Sequence, residues 1–373
     1  MLPADVRSIL VVLPTWVGDF VMATPFLRGL RRHFAQGRIT FLAEPNLREL
    51  IEGGEWMDEV VEWPDRRGRQ LWRREFRSLI ARLRAGRFEA AVLLPNKFRA
   101  ALIARLAGAR RRIGFDRDGR GWLLTDRVPV RNRAGRRFVP YPLVEYYADL
   151  AEALGMPRCG HELELYTTSA CEASLEHRLK TGATPQSPGI HAGRDRLETG
   201  VTPRVVISPG AKYGAAKCWL PERFAAVGDR LAREYGATVI VTCGPGEEHI
   251  ARAIGGAMQE ENILFDEPRL SLGELKVLVK SSNLLLCNDA GPRHFARAFG
   301  VPVVTVFGPT HPEWTRTDYP HQRIVRIDVD CGPCQQRVCP LGHLKCMTGV
   351  SVEAVYAACV ELLQSPHVQE FSI

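Results

Sequence analysis

Residues 8–14 (SILVVLP) form a continuous apolar run. A glycine-containing turn follows at once, and then apolar residues at helical spacing: Met22, Phe26, Leu30 and Phe34. A strand with no polar face must be buried on both sides, and a strand that leads straight into a helix belongs to a parallel sheet covered by helices. The pattern continues with strands at 39–43 and 90–95 (AAVLLP) and a helix at 143–154 stopped by Gly155-Met156-Pro157. After a stretch rich in Gly, Pro, Thr and charge, it starts again. Strands are expected at 204–208, 238–243, 283–287 and 303–307, and helices at 221–235, 272–280 and 293–299. A chain of 373 residues exceeds what one core covers. The expected fold class is therefore α/β, with two Rossmann-like doubly wound domains. The expected divisions are a first domain at 1–180, a linker at 181–203 and a second domain at 204–350. A C-terminal helix and tail at 351–373 are expected to pack back on the first domain.

In such sheets ligands gather at the carboxyl ends of strands. The first loop there is Thr15-Trp16-Val17-Gly18-Asp19. Gly18 permits close approach, and Asp19 stands where a helix begins. An aspartate in that place either caps backbone N–H groups or acts as a general base toward a hydroxyl, and spacing leaves both open. A second loop, SPGAKYGAAKCWLP at 208–221, offers Gly210, Ala211 and Lys217 as amides and a cation for a diphosphate, without the spacing of a P-loop. A third, NDAGPRH at 288–294, opens a helix with Asp289, Ala290, Gly291, Arg293 and His294, the arrangement of an anion site. FGPTHPEW at 307–314 adds hydroxyl, imidazole and aromatic groups. GPGEE at 244–248 brings Glu247 toward a ribose or base. None of these loops carries a D-x-D pair, so neutralisation by lysine and amides, with no metal and no cofactor, is expected.

Charge is unevenly spread. Residues 1–140 hold 28 Lys+Arg against 15 Asp+Glu, while the remainder holds 22 against 27. The basic half suits an anionic partner, although Arg outnumbers Lys 43 to 7, as codon bias alone can produce. The N-terminus lacks an export signal and no stretch is long and apolar enough to span a membrane, so a cytoplasmic location is expected, with peripheral contact at the inner membrane open. Four of the ten cysteines cluster as Cys331-x2-Cys334-x4-Cys339-x6-Cys346. Zinc, a disulfide pair and reduced structural thiols all remain open for them, with a structural role near the domain crossing expected in each case.

Taken together, WVGDFVMATPFLRGL, PGAKYGAAKCWLPERF, NDAGPRHFARAFGVPVVTVFGPTHPEWT and CGPCQQRVCPLGHLKCM resemble glycosyltransferase family 9, most of all its ADP-heptose–lipopolysaccharide heptosyltransferase II branch. The resemblance implies a GT-B fold, two Rossmann-like domains facing each other across a cleft. It implies an inverting, metal-independent transfer of heptose from ADP-heptose to the inner core of lipopolysaccharide, an anionic lipid-linked saccharide. Asp19 matches the family's proposed base, with Thr15, Trp16 and Gly18 beside it on the acceptor side. Lys217 matches the lysine near the diphosphate, and Asp289, Gly291 and His294 match the donor loop. Ala290 departs from the usual Ser or Thr, and Pro292-Arg293 replaces a less constrained pair. The competing readings are a family 9 transferase with another sugar or acceptor, a nucleotide-sugar epimerase, and a nucleic-acid-binding protein. The last is disfavoured because the basic residues are dispersed and no recognition motif accompanies them.

Overall fold

Both halves of the chain build a parallel sheet with the same strand order. The computed structural model describes residues 1–3, 5–64, 71–135, 137–181, 184–186 and 202–365. Two compact units divide it: Met1–Glu164 with Glu313–Thr317, and Leu165–Pro312 with Asp318–Ile373.

The first unit runs β1 (Ser8–Val12), α1 (Val17–His33), β2 (Arg38–Ala43), α2 (Arg48–Ile51), β3 (Glu59–Glu62), α3 (Leu71–Ala85), β4 (Ala90–Leu93) and α4 (Phe98–Leu106). It continues with β5 (Arg111–Phe115), β6 (Asp126–Val128), a small hairpin of β7 (Arg133–Ala134) and β8 (Arg137–Phe138), and α5 (Leu143–Leu154). Its six-stranded sheet has the order β3-β2-β1-β4-β5-β6 with every pair parallel. Ile9, Leu10, Val11 and Val12 of β1 are fully buried, as a central strand covered on both faces requires. Pro25 sits inside α1 and cannot donate to the Val21 carbonyl. The Thr24 hydroxyl takes that acceptor instead, at 2.7 Å. Gly155 ends α5 in the left-handed region at φ 87°, as its sequence context predicts.

The second unit runs α6 (Ser169–Thr181), β9 (Thr184–Gln186), β10 (Arg204–Ser208), α7 (Pro221–Tyr235), β11 (Thr238–Thr242), α8 (Glu248–Ala257) and β12 (Asn262–Phe265). Then come α9 (Leu272–Lys280), β13 (Leu284–Asn288), α10 (Pro292–Phe299), β14 (Val303–Val306), β15 (Gln322–Val325), α11 (Lys345–Thr348) and α12 (Val352–Leu363). The sheet order is β15-β14-β13-β10-β11-β12-β9. Leaving out β9, which pairs antiparallel on the edge, this repeats the order of the first sheet. In each unit the first and fourth strands of the repeat are neighbours, β1 with β4 and β10 with β13. The direction in which successive strands are added reverses there, and the loops leaving those strands form the crevice where such sheets take ligands.

Two expected boundaries are corrected. α6 belongs to the second unit, because it packs on α9, with the Ser174 hydroxyl 2.8 Å and Arg178 3.0 Å from the Glu274 carboxylate. The C-terminal helix does not return to the first unit. α12 packs on α7 and on β13, β14 and β15, burying Val355, Cys359 and Leu362 in the second core. Most of the expected linker (182, 183 and 187–201) and the tail at 366–373 lie outside the described residues. Among the described residues no helix is long and apolar enough to cross a membrane.

Candidate functional site

The reversal point of the second sheet carries a buried polar cluster built by the ends of β10 and β13. Asn288, the last residue of β13, is fully buried and holds both ends of the 209–219 loop: its amide donates to the Pro209 carbonyl and accepts from the Trp219 N–H at 3.2 Å. The loop's Lys217 meets the next residue, Asp289, with Nζ 2.5 Å from Oδ2 and 3.1 Å from the main-chain oxygen. Thr310 donates to the same Oδ2 and Arg293 to Oδ1, each at 2.7 Å. Burial opposes the Asp289 charge. The Arg293 and Lys217 charges, with hydrogen bonds from Lys217 and Thr310, outweigh it and hold the carboxyl below its ordinary range.

Among the described residues, Asp289 meets two cations, Lys217 and Arg293, and a third stands close by. Arg297 lies beside Arg293, and both guanidinium groups donate to Gln322 Oε1. Burial first, and then the charges of Arg297, Arg293 and Lys217, push His294 well below its ordinary value, so its ring is neutral at pH 7. Arg297 lies 3.3 Å from His294 Nδ1. A guanidinium only donates, so Nδ1 accepts and Nε2 carries the proton. Ala290 and Gly291 are half-buried at the start of α10, where no side chain caps the helix. The cluster thus has excess positive charge next to an uncapped helix N-terminus, a combination suited to an anionic group. Arg293 does not face a ligand as its place in the sequence suggests; it is fully buried, against Asp289 and 4.7 Å from the centre of the Phe307 ring.

Gly210, Ala211 and Glu247 form a separate arrangement. The Glu247 carboxylate accepts from the Gly244 N–H at 3.1 Å, and the Ala211 N–H also bonds to it. Burial raises the Glu247 pKa, and those two amides with Lys212 offset the rise in part. Gly210 makes room for it: a Cβ there would lie 1.8 Å from Oε2. In this state Glu247 joins the loops after β10 and β11, and the Ala211 amide is engaged by it.

In the first unit Asp19 lies in the first turn of α1, with Trp16 in the capping position. Asp19 is therefore not the N-cap. Its charge reaches Tyr147, whose buried phenol is raised well above its ordinary value by burial first and by Asp19 second. Thr15 accepts from Lys97, 3.3 Å away across the reversal point between β1 and β4. Gly18 is half-buried and Trp16 is exposed.

The loop at 210–217 rests on the cysteine-rich segment. Ala216 N–H donates to the Arg337 carbonyl at 3.1 Å, Tyr213 OH to the Gln335 carbonyl at 2.6 Å, and Gln335 N–H to Pro309 at 2.9 Å. Cys331, Cys334, Cys339 and Cys346 line one cavity with Ala216 and Pro309, and all are free thiols. Backbone N–H groups, Leu344 first, lower the Cys339 pKa, while burial and then the three neighbouring thiols raise that of Cys346. Among the described residues no group of three or more His, Cys, Asp or Glu side chains is arranged to hold a metal ion. D-x-D spacings do occur outside the loops discussed above, at Asp116–Asp118 and Asp328–Asp330. There Asp116 pairs with Arg127, Asp118 with Arg117 and Asp328 with Arg326.

Arg297 and Gln322 are parts of the cluster that motif spacing does not single out, and Asn288 and Thr310, though within the loops at 288–294 and 307–314, gain their roles only from the fold. The adjacency of β10, β13, β14 and β15 brings them together.

The sequence model of glycosyltransferase family 9 (heptosyltransferase) matches residues 76–345. Lipooligosaccharide heptosyltransferase 2 of Campylobacter jejuni is 24% identical over 366 residues, spanning 96% of this chain and 99% of that protein. Lipopolysaccharide heptosyltransferase 2 of Escherichia coli K12 is 28% identical over 325 residues, spanning 86% and 88%. Among solved structures, ADP-heptose LPS heptosyltransferase II of E. coli shares the fold with a TM-score of 0.74 at 22% identity, covering 96% of this chain and 98% of that one.

Proposed function

The chain belongs to glycosyltransferase family 9, and from that premise we propose that it transfers heptose from ADP-heptose to the inner core of lipopolysaccharide, with inversion and without a metal ion. The relatives named as lipooligosaccharide or lipopolysaccharide heptosyltransferase 2 span most of the chain and support heptose as the sugar and a lipid-linked saccharide as the acceptor. The observation that carries the reading is the buried cluster of Lys217, Arg293 and Arg297 beside the Asp289 carboxylate. Its fixed excess of positive charge suits a diphosphate, and it supplies without a divalent ion the charge stabilisation that a departing ADP needs.

The reaction is a single displacement. An acceptor hydroxyl oxygen attacks the anomeric carbon from the side opposite the diphosphate. The new C–O bond forms as the bond to the diphosphate oxygen breaks, and ADP leaves with that electron pair. Asp19 takes the hydroxyl proton. Lys217 has a third N–H beyond the two given to Asp289, and with the amides at 290–291 and the Nε2–H of neutral His294 it receives the growing negative charge. Thr15, Trp16 and Gly18 line the acceptor side, and Glu247, through its hold on Gly210 and Ala211, shapes the donor side. An acceptor anchored in lipid places the enzyme at the cytoplasmic face of the inner membrane, in peripheral contact with it.

Ala290 favours one alternative, a family 9 transfer with a different nucleotide sugar, because the hydroxyl usual at that position is missing. Incubating the protein with a panel of nucleotide sugars and delipidated core acceptors, in chelator, separates the two. Transfer confined to ADP-heptose, with inverted product, supports the proposal; preference for another donor selects the alternative.

A further inference from the structure

The reversal point of the first sheet carries exposed aromatic rings that are rigidly mounted. Phe98 is 42% exposed and Trp122 is 62% exposed, yet their ring centroids lie 5.9 Å apart in a tilted pair. Phe98 opens α4 directly after Lys97, whose exposed ammonium bonds the neutral Thr15 hydroxyl. Next to Thr15 is Trp16, itself 41% exposed. The loops after β1, β4 and β5, all at the carboxyl ends of parallel strands, therefore carry three exposed aromatic rings and a cation, and Trp16 lies three residues before Asp19.

What holds this edge is a fully buried arginine. Arg120 Nε donates to the Phe115 carbonyl at 3.2 Å, and its guanidinium donates to the Pro95 carbonyl and to Asn96 Oδ1. Asn96 Oδ1 also accepts from Tyr146, which stacks on Phe115 with centroids 3.7 Å apart. Burial lowers the Arg120 pKa to about 10. Arg120 thus fastens the Pro95–Asn96 turn, which leads into Lys97 and Phe98, to the segment carrying Trp122. A buried cation spent on fixing two exposed rings and an exposed lysine argues for a bound partner rather than for the core.

We infer that Phe98, Trp122 and Lys97 form the platform that grips the acceptor: the rings stack on the C–H faces of its sugars, and Lys97 takes a phosphate or carboxylate carried by them. The occupant is an anionic saccharide. Aromatic faces suit pyranose rings, and the 28 Lys+Arg against 15 Asp+Glu in residues 1–140 match a negatively charged partner. The inference rests on the proposed transferase reading and extends it to acceptor residues not marked by the family motifs.

The test uses the full chain with ADP-heptose and a delipidated, phosphorylated core oligosaccharide. Trp122→Ala and Lys97→Ala should each raise the acceptor KM about tenfold while ADP affinity by calorimetry stays within about twofold. Trp122→Tyr should restore most of the loss, which a merely structural role would not predict. Unchanged acceptor KM in the alanine variants overturns the inference. So does an outcome in which only binding to phosphatidylglycerol vesicles falls, because the patch would then be a membrane anchor. A far-UV circular dichroism spectrum and thermal unfolding profile like those of wild type show that the first unit of a variant is folded. If the wild-type protein transfers no heptose, the functional reading fails, and binding of the oligosaccharide to wild type and variants by calorimetry still decides the platform: equal affinity overturns it.

Discussion

Lys217 and Asp289 form an ion pair with Nζ 2.5 Å from Oδ2, at the point where the second sheet reverses direction. Asp289 keeps Arg293 and Thr310 if the lysine is removed, so the pair can be opened from one side without stripping the carboxylate of partners. Lys217→Ala should therefore leave the fold intact and weaken ADP binding about ten- to a hundredfold, ~1.4–2.8 kcal/mol. Calorimetry with ADP measures this, and an unchanged Kd would remove Lys217 from the donor site.

Opening the pair from the other side costs more. Asp289→Asn leaves buried Arg293 without its carboxylate, and breaking a buried ion pair in this way costs about 3–5 kcal/mol. Urea unfolding should show that loss for Asp289→Asn and a much smaller one for Lys217→Ala. Equal losses would mean that Asp289 does not organise the cluster.

His294 makes stability depend on pH in a definite direction. Its folded pKa lies well below the ordinary 6.5, so in mildly acidic solution the unfolded chain binds a proton that the folded chain refuses. Stability is fully present above about pH 6.5 and falls as pH drops below it, by up to about 1.4 kcal/mol per pH unit. The slope between pH 7 and 5 should be shallower in His294→Gln than in wild type. Parallel slopes would show that the imidazole titrates normally.

The cysteine-rich segment supports the donor loop through close backbone contact. A Cβ on Gly214 would lie 2.3 Å from the Arg337 carbonyl oxygen, so Gly214→Ala must push the loop off that segment. ADP affinity should fall at least about fivefold, ~1 kcal/mol. Gly256→Ala in α8, where a Cβ meets nothing within 4 Å, should leave ADP affinity unchanged. If both variants bind ADP like wild type, the segment does not support the loop.

Much of this fold is legible in the sequence because buried parallel strands leave unbroken apolar runs: SILVVLP, AAVLLP and TVIVTC stand out whatever surrounds them. Edge strands do not. β3 (EVVE) and β15 (QRIV) carry polar residues on partly exposed positions and show no such run. The boundary at Glu164 and Leu165 has no glycine or proline to mark it, and α6 is assigned to its unit by tertiary contacts, with α9, the Phe265 ring and the Pro268 and Arg269 carbonyls. The site divides in the same way. Lys217, Asp289 and the start of α10 can be read from the loops, since their residue types suit an anion and each loop follows a strand. That Asn288 holds both ends of a loop some 70 residues earlier, or that Arg120 fastens the Phe98 turn, depends on which strands are neighbours, and local spacing does not encode that.

The most direct test of the account is turnover by the purified protein with ADP-heptose, a lipopolysaccharide inner-core acceptor and excess chelator. The wild-type protein should release ADP only when acceptor is present and form an inverted glycosidic bond, and Asp19→Ala should lose at least about a hundredfold in kcat while still binding ADP. ADP-heptose consumed without acceptor, dependence on a divalent ion, or near-wild-type turnover by Asp19→Ala would contradict it.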